Sequence, residues 1–311
     1  MEITDEIKDK LEKLHAKYEA MGQDMNSYLD GLLYADVTTY WDYIQTDTLL
    51  SIQKPKTQFP DEEIFIMYHQ ITELYFKLSL HELRQICLGE NRDTEFLTAR
   101  ILRINRYFEA LTKSFEIMIN GMEPEQFLKF RMSLLPASGF QSAQYRMIEI
   151  YCTDLINLTE RSVRPELAAK NASIEELFAH IYWKRGATEL ATGKKTLTLR
   201  QFEDKYTETL VDLAHKVSNC NVWKVIQSLP ANSLENETLR QALRQLDLDV
   251  NVNWPMVHMK SAARYLEKKP EDIAATGGTN WQKYLPPRFQ RRVFFPELWT
   301  AEELENWGTK A

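Results

Sequence analysis

Glycine and proline are scarce in this chain, ten and eleven among 311 residues. Sheet-rich folds place such residues at every tight turn, so the shortage points to long helices with few connections. Cysteine is scarcer still. Cys87, Cys152 and Cys220 stand far apart, without pairing or metal-binding spacing, which argues against a disulfide scaffold and suits a reducing compartment. The net charge is −7 and no basic block stands out, so nucleic acid is a poor partner. No apolar run approaches the roughly 18 residues of a membrane span, and Met1 to Lys10 is charged where a signal peptide would be apolar. These absences predict a cytoplasmic, acidic, all-α protein that neither enters a membrane nor binds nucleic acid.

What is present is aromatic and helical: 7 Trp, 14 Tyr and 14 Phe. Residues 4 to 21 carry Ile7, Leu11, Leu14 and Tyr18 at spacings of three and four, a helix whose apolar stripe is thin enough to suit packing on a partner chain. The clearest helix runs from 62 to about 88, with Asp61 as N-cap and Gly89 as stop. Further helices are expected over roughly 94 to 120, 123 to 133, from Ser138 to about 159, from Thr198 to about 218, 234 to 246, 252 to 268 and 301 to 307. Ser138 with Gln141, and Thr198 with Gln201, have the spacing of capping boxes. No repeat and no dividing linker is evident. One domain is expected over 1–311, with residues 1–36 as a helical arm and about 160–250 as a helical excursion.

Six histidines limit the metal and acid–base chemistry. His15 and His215 lie among charged neighbours, and His81 and His180 near helix ends. His69 and His258 sit in apolar or aromatic stretches. Each reads either as a core histidine satisfied by a nearby acceptor or as a functional imidazole; Met256, Val257 and Met259 beside His258 could line one side of a haem. No zinc or di-iron spacing occurs. Arg131, flanked by Phe127, Phe130 and Leu134, reads as an internal ion-pair partner, a stem covering apolar surface, or a fork for a substrate carboxylate. Thr276-Gly277-Gly278 is either an ordinary turn or a backbone that closes over a small ligand.

Four stretches, taken in order, resemble the tryptophan 2,3-dioxygenase family. They are Asp61-Glu62-Glu63-Ile64-Phe65-Ile66-Met67-Tyr68-His69-Gln70 with its continuation to His81-Glu82-Leu83, Phe130-Arg131-Met132-Ser133-Leu134-Leu135-Pro136-Ala137-Ser138-Gly139-Phe140-Gln141-Ser142, Trp254 with His258 four residues on, and Thr276-Gly277-Gly278. An upstream run from Thr39 to Gln53 is also similar. The resemblance spans about residues 37 to 285, loosely between 160 and 250.

The resemblance implies a helical-bundle haem dioxygenase fold, with an N-terminal segment that packs on a neighbouring subunit. It implies haem b, ferrous in the active form, with His258 as axial ligand of the iron, and O2 as co-substrate. His69 is implied as the distal catalytic histidine that meets the indole N–H of L-tryptophan. Arg131 is implied at the substrate carboxylate and Thr276 at its carboxylate or ammonium, with Phe65, Leu134, Ser138 and Tyr145 lining the pocket. Tyr40, Tyr43 and Ile44 match a segment that reaches into a neighbour's pocket, which implies a homotetramer built as a dimer of dimers. The implied reaction inserts both atoms of O2 across the indole C2–C3 bond to give N-formylkynurenine, the first step of the kynurenine pathway. The alternatives are a related haem oxygenase acting on another aromatic amino acid or indole derivative, and a non-catalytic haem protein. Four features depart from the family's pattern. Pro255 stands where Arg often follows the Trp, Ala275 where a glycine precedes Thr-Gly-Gly, and Phe127 where a tyrosine is often found, and the span from His258 to Thr276 is longer.

Overall fold

The computed structural model describes residues 3–35, 38–134, 141–188, 194–266 and 286–309. Among them all extended structure is helical; two isolated β-bridges, Thr159 with Ile181 and Thr188 with Lys195, are the only strand-like pairings. The chain falls into two compact units, Met1–Gln53 and Lys54–Ala311.

The first unit holds α1 (Asp5–Ala20), α2 (Met25–Tyr34), α3 (Tyr40–Ile44) and α4 (Thr46–Leu49). Asp5 and Glu6 occupy the positive end of α1, and three Lys–acid pairs line its exposed face, but it buries no residue. Tyr18 stacks on Tyr28 at 4.4 Å and joins α1 to α2. Asp24 and Thr39 cap α2 and α3, and Gln45, left-handed at φ 55°, separates α3 from α4.

The second unit begins with α5 (Asp61–Leu88), α6 (Thr94–Ser114), α7 (Glu116–Asn120) and α8 (Pro124–Phe130), which runs into a 3-10 turn, Arg131–Leu134. Next come α9 (Ala143–Cys152), α10 (Arg164–Ala169), α11 (Ile174–Ala179), α12 (Tyr182–Gly186), α13 (Leu197–Val217) and α14 (Val222–Gln227). The third stretch is α15 (Glu237–Leu248), a π-turn (Asp249–Asn253) and α16 (Trp254–Leu266), followed by the short α17 (Pro287–Gln290) and α18 (Ala301–Glu305). Helix α5 is the central rod, packed against α6, α8, α9 and α14; α15 lies on α6, and α16 on α6, α7 and α8. Among the described residues, no helix is long and apolar enough to cross a membrane.

Several polar groups buried between these helices are tied off. On α5, the Glu82 carboxylate, 2% exposed, accepts from Arg100, Arg103 and Tyr107 of α6. Gln144 of α9 donates to the Glu73 carbonyl and carboxylate, both at 2.8 Å. Asp247, wholly buried in α15, accepts from the Phe294 and Phe295 amides, Trp299 Nε1 and Asn251 Nδ2, and so pins the C-terminal segment to the core. Burial nonetheless pushes its carboxyl up to about 6, because four donors do not replace the water it lost.

Several helix ends differ from those the sequence predicts. Pro60, not Asp61, stands at the N-cap of α5; Asp61 is the first helical residue, and its carboxylate accepts from the Glu123 amide. Glu62 reaches back to the Lys56 and Thr57 amides, so the acids there anchor neighbouring loops rather than cap their own helix. The α9 cap is Ser142, which accepts from the Tyr145 amide, and α9 ends at Cys152. The α13 cap is Thr196, with Thr198 buried in the first turn. Among the described residues the reciprocal capping boxes are Ser173 with Glu176 and Thr300 with Glu303. The helix expected over 94 to 120 breaks at Phe115.

Candidate functional site

Helix α5 presents Phe65 and His69 four residues apart, hence on one face. Their rings lie 4.1 Å apart at 34°, and His69 Nδ1 meets the Phe65 carbonyl at 2.7 Å. A carbonyl only accepts, so Nδ1 carries the proton and Nε2 of the neutral ring keeps its lone pair. Burial lowers the His69 pKa against the opposing pulls of the Phe65 carbonyl and Glu73, so the neutral form prevails at pH 7. The side chain that sequence alone leaves between two readings is thus a fixed acceptor.

Aromatic rings build the wall behind it. Phe65 meets Phe130 edge-on at 5.7 Å and Phe127 at 6.2 Å, and Phe127 packs on Tyr265 of α16 at 4.6 Å. Phe127 therefore fills its position with apolar surface only. Tyr68, next to His69, packs on Phe115 at 5.6 Å and hydrogen-bonds the Leu111 carbonyl and Ser114.

His258 comes from α16. Its ring packs on Phe115 at 4.8 Å and on the edge of Trp254 at 5.1 Å. Burial pulls its pKa down to about 4, and the nearness of His69 pushes the same way. The two imidazoles, 189 positions apart in the sequence by their numbers, thus lie near enough to act on one another. Phe115, which packs on His258 and on Tyr68, the neighbour of His69 in sequence, is a contact that sequence reasoning missed; its one signal was an aromatic at the break between two helical runs. No hydrogen bond engages His258 among the described residues.

The remaining expected residues divide. Arg131 opens the 3-10 turn directly after Phe130, half-buried, and burial lowers its pKa. Leu134 ends the same turn and packs on the core. Tyr145 is buried on α9, its ring on Phe76 at 5.4 Å and its hydroxyl 2.6 Å from the Val250 carbonyl in the π-turn. Phe76 in turn meets Trp254 edge-on at 5.9 Å. Tyr40, Tyr43 and Ile44 lie on α3 of the first unit, and all three are exposed. Ser138 and Thr276 lie outside the described residues.

The residues present fit a haem. A lone imidazole, neutral, walled by apolar rings and without a competing hydrogen bond among the described residues, has the donor set and surroundings of an axial ligand.

Comparison with known proteins gives a concordant result. The family model described as "Tryptophan 2,3-dioxygenase" matches residues 32–163. Proteins named tryptophan 2,3-dioxygenase align over most of their length. The one from Ruegeria sp. (strain TM1040) is 31% identical over 279 residues, covering 86% of this chain and 92% of its own. The Caulobacter vibrioides protein is 31% identical over 269 residues, covering 84% and 96%. The Paraburkholderia phytofirmans protein is 29% identical over 273 residues, covering 86% and 84%.

Proposed function

The chain belongs to the tryptophan 2,3-dioxygenase family, and from that premise we propose that it opens the indole ring of L-tryptophan with O2, giving N-formylkynurenine with both oxygen atoms retained. The observation that carries this reading is the pair of neutral, half-buried imidazoles, each packed on aromatic rings, that come near one another from different helices.

His258 would hold haem b through its bare nitrogen. When bound, the ferrous haem supplies the activation of O2 that no side chain here provides. The rest is positioning. Phe65, Phe127, Phe130 and Leu134 hold the indole and exclude water. His69 accepts the indole N–H at Nε2, the nitrogen that its bond to the Phe65 carbonyl leaves bare. It works as an orienting acceptor and not as an obligatory base, because an indole N–H is a very weak acid. Arg131 takes the substrate carboxylate, joined by Thr276, and Ser138 completes the lining. Together these fix the C2–C3 bond before reaction.

The product class places the enzyme at the first step of tryptophan catabolism by the kynurenine route. A homotetramer is the matching assembly: Leu33, Tyr34, Tyr40 and Tyr43 of the first unit are 72% exposed or more, a run of large apolar side chains that suits a neighbouring subunit. Absence of a crossing helix among the described residues fits a cytoplasmic enzyme.

Arg131→Ala is expected to raise the KM for L-tryptophan roughly tenfold to a hundredfold, the weight of a charge-assisted fork, with a smaller change in kcat. Steady-state kinetics check it, and an unchanged KM removes Arg131 from the carboxylate role. Phe127 brings no hydroxyl to the pocket, which favours a second reading in which a different aromatic amino acid or indole derivative is the substrate. A panel of L-tryptophan, methyltryptophans, tyrosine and tryptamine separates the two. The first reading predicts that L-tryptophan has the highest kcat/KM and that tryptamine, without a carboxylate, is poor. Preference for another panel member overturns it.

A further inference from the structure

The helix that carries His258 is not regular. Between α15 and α16 the chain makes a π-turn, Asp249–Asn253, in which the Trp254 amide donates to the Asp249 carbonyl, five residues back rather than four. One residue more per turn rotates everything downstream by about 100° relative to an unbroken helix. The direction in which α16 points His258 is therefore set by this turn.

Pro255 removes the N–H that would serve Val250 in the π pattern and Asn251 in the α pattern, and the Val250 carbonyl is the one for which a side-chain donor is found. Val250 would be served by the Trp254 amide in an α-helix, but that amide is given to Asp249. In the π pattern its donor would be residue 255, which is Pro255 and has no N–H. A buried carbonyl left unpaired is costly, and Val250 is wholly buried. Tyr145 supplies the bond from another helix: its hydroxyl donates to the Val250 carbonyl at 2.6 Å. The same hydroxyl accepts from Arg292, which lies with Arg146, Glu149 and Tyr182 in a buried polar cluster. Within the turn, Asp249 accepts from Gln245 and Asn253, and Asn251 donates to Asp247, so the neighbouring side chains are held as well.

We propose that Tyr145 is a positioning residue for His258: its hydroxyl replaces the donor that Pro255 lacks, and so fixes the π-turn that aims the axial imidazole. This rests on the haem reading above. It departs from the pocket-lining role that the family resemblance implies for Tyr145, and it ties that role to Pro255, the residue by which this chain differs from the family's usual motif.

The test is a cycle of Tyr145→Phe, Pro255→Ala and the double variant, read in two ways. Amide hydrogen exchange over residues 249–261 of the full-length protein without haem reads the turn itself. Tyr145→Phe is expected to speed exchange there at least tenfold, and in the Pro255→Ala background, where residue 255 regains an N–H, by less than threefold. The haem-loaded ferrous proteins are then compared by the iron–histidine stretching band in resonance Raman. Tyr145→Phe is expected to shift or split that band with unchanged haem stoichiometry, and to lower kcat several-fold with KM for L-tryptophan within twofold. Pro255→Ala is expected to restore the band.

Unchanged exchange in Tyr145→Phe overturns the proposal, as does an effect of equal size in both backgrounds, which would assign the hydroxyl to Arg292 instead. A raised KM with an unchanged band returns Tyr145 to substrate contact. If the wild-type protein takes up no haem, the functional reading fails while the exchange cycle still decides the strut.

Discussion

His258→Ala is expected to yield a folded protein that loads no stoichiometric haem and turns over at background, whereas His69→Ala loads haem normally and keeps measurable turnover. The two histidines look alike in the sequence, each alone in an apolar run, but their surroundings differ. Among the described residues His258 has ring contacts only, with Phe115 and Trp254, and burial holds it neutral, at about 4. Its removal deletes the nitrogen donor of the site. His69 is already bonded through Nδ1 to its own helix, and offers Nε2 as one acceptor. A single neutral hydrogen bond contributes about 0.5–1.5 kcal/mol, so its loss is expected to cost roughly twofold to tenfold in affinity or rate. Haemin titration followed at the Soret band, then turnover of the loaded proteins, checks both. Equal loss in the two variants would contradict the division of roles, and full loading of His258→Ala would remove it as the ligand.

The second large effect concerns stability. Glu149 is wholly buried between two guanidiniums: Arg146 pairs with it at 3.1 Å and Arg292 pairs more closely still, while Tyr182 donates to it at 2.6 Å. Both arginines also donate to the Tyr182 hydroxyl, at 2.6 and 2.7 Å. The cluster joins α9, α12 and the segment after α17. Replacing the pair with apolar residues of like volume can be neutral, but removing one partner strands the other charge. Glu149→Ala leaves two buried arginines without their carboxylate. We expect it to cost about 3–5 kcal/mol, a large part of the roughly 5–15 kcal/mol that holds a domain. The urea midpoint should fall accordingly, and Glu149→Gln, which keeps the acceptor and loses the charge, should lie between. A loss below about 1 kcal/mol would mean that Tyr182 and water suffice for the arginines.

What the sequence made legible follows from how local each signal is. The apolar spacing of α5 and the acids at its start place that helix within a residue of its observed span. The setting of His69 and His258 among apolar neighbours separates them from the four other histidines. Capping was less legible because one-turn signals compete: Thr196 and Thr198 both have a hydroxyl near the start of α13, and only the backbone decides that Thr196 accepts from Leu199. Glu149 and Arg292, 143 positions apart, carry no mark of their pairing. The π-turn had one sequence sign, Pro255 inside a helical run, and its consequence appears only when the donor for Val250 is sought. Phe115 was hidden because its partners, Tyr68 and His258, come from two other helices.

The central claim is that this pocket holds a haem and opens L-tryptophan's indole ring on it. The most direct measurement loads the purified protein with haemin, reduces it without oxygen, adds L-tryptophan and then admits 18O2, with the product followed by mass spectrometry. The account predicts N-formylkynurenine carrying two labelled atoms, formed over many turnovers per haem. A haem spectrum that responds to L-tryptophan without that product, or a protein that takes up no haem, would contradict it.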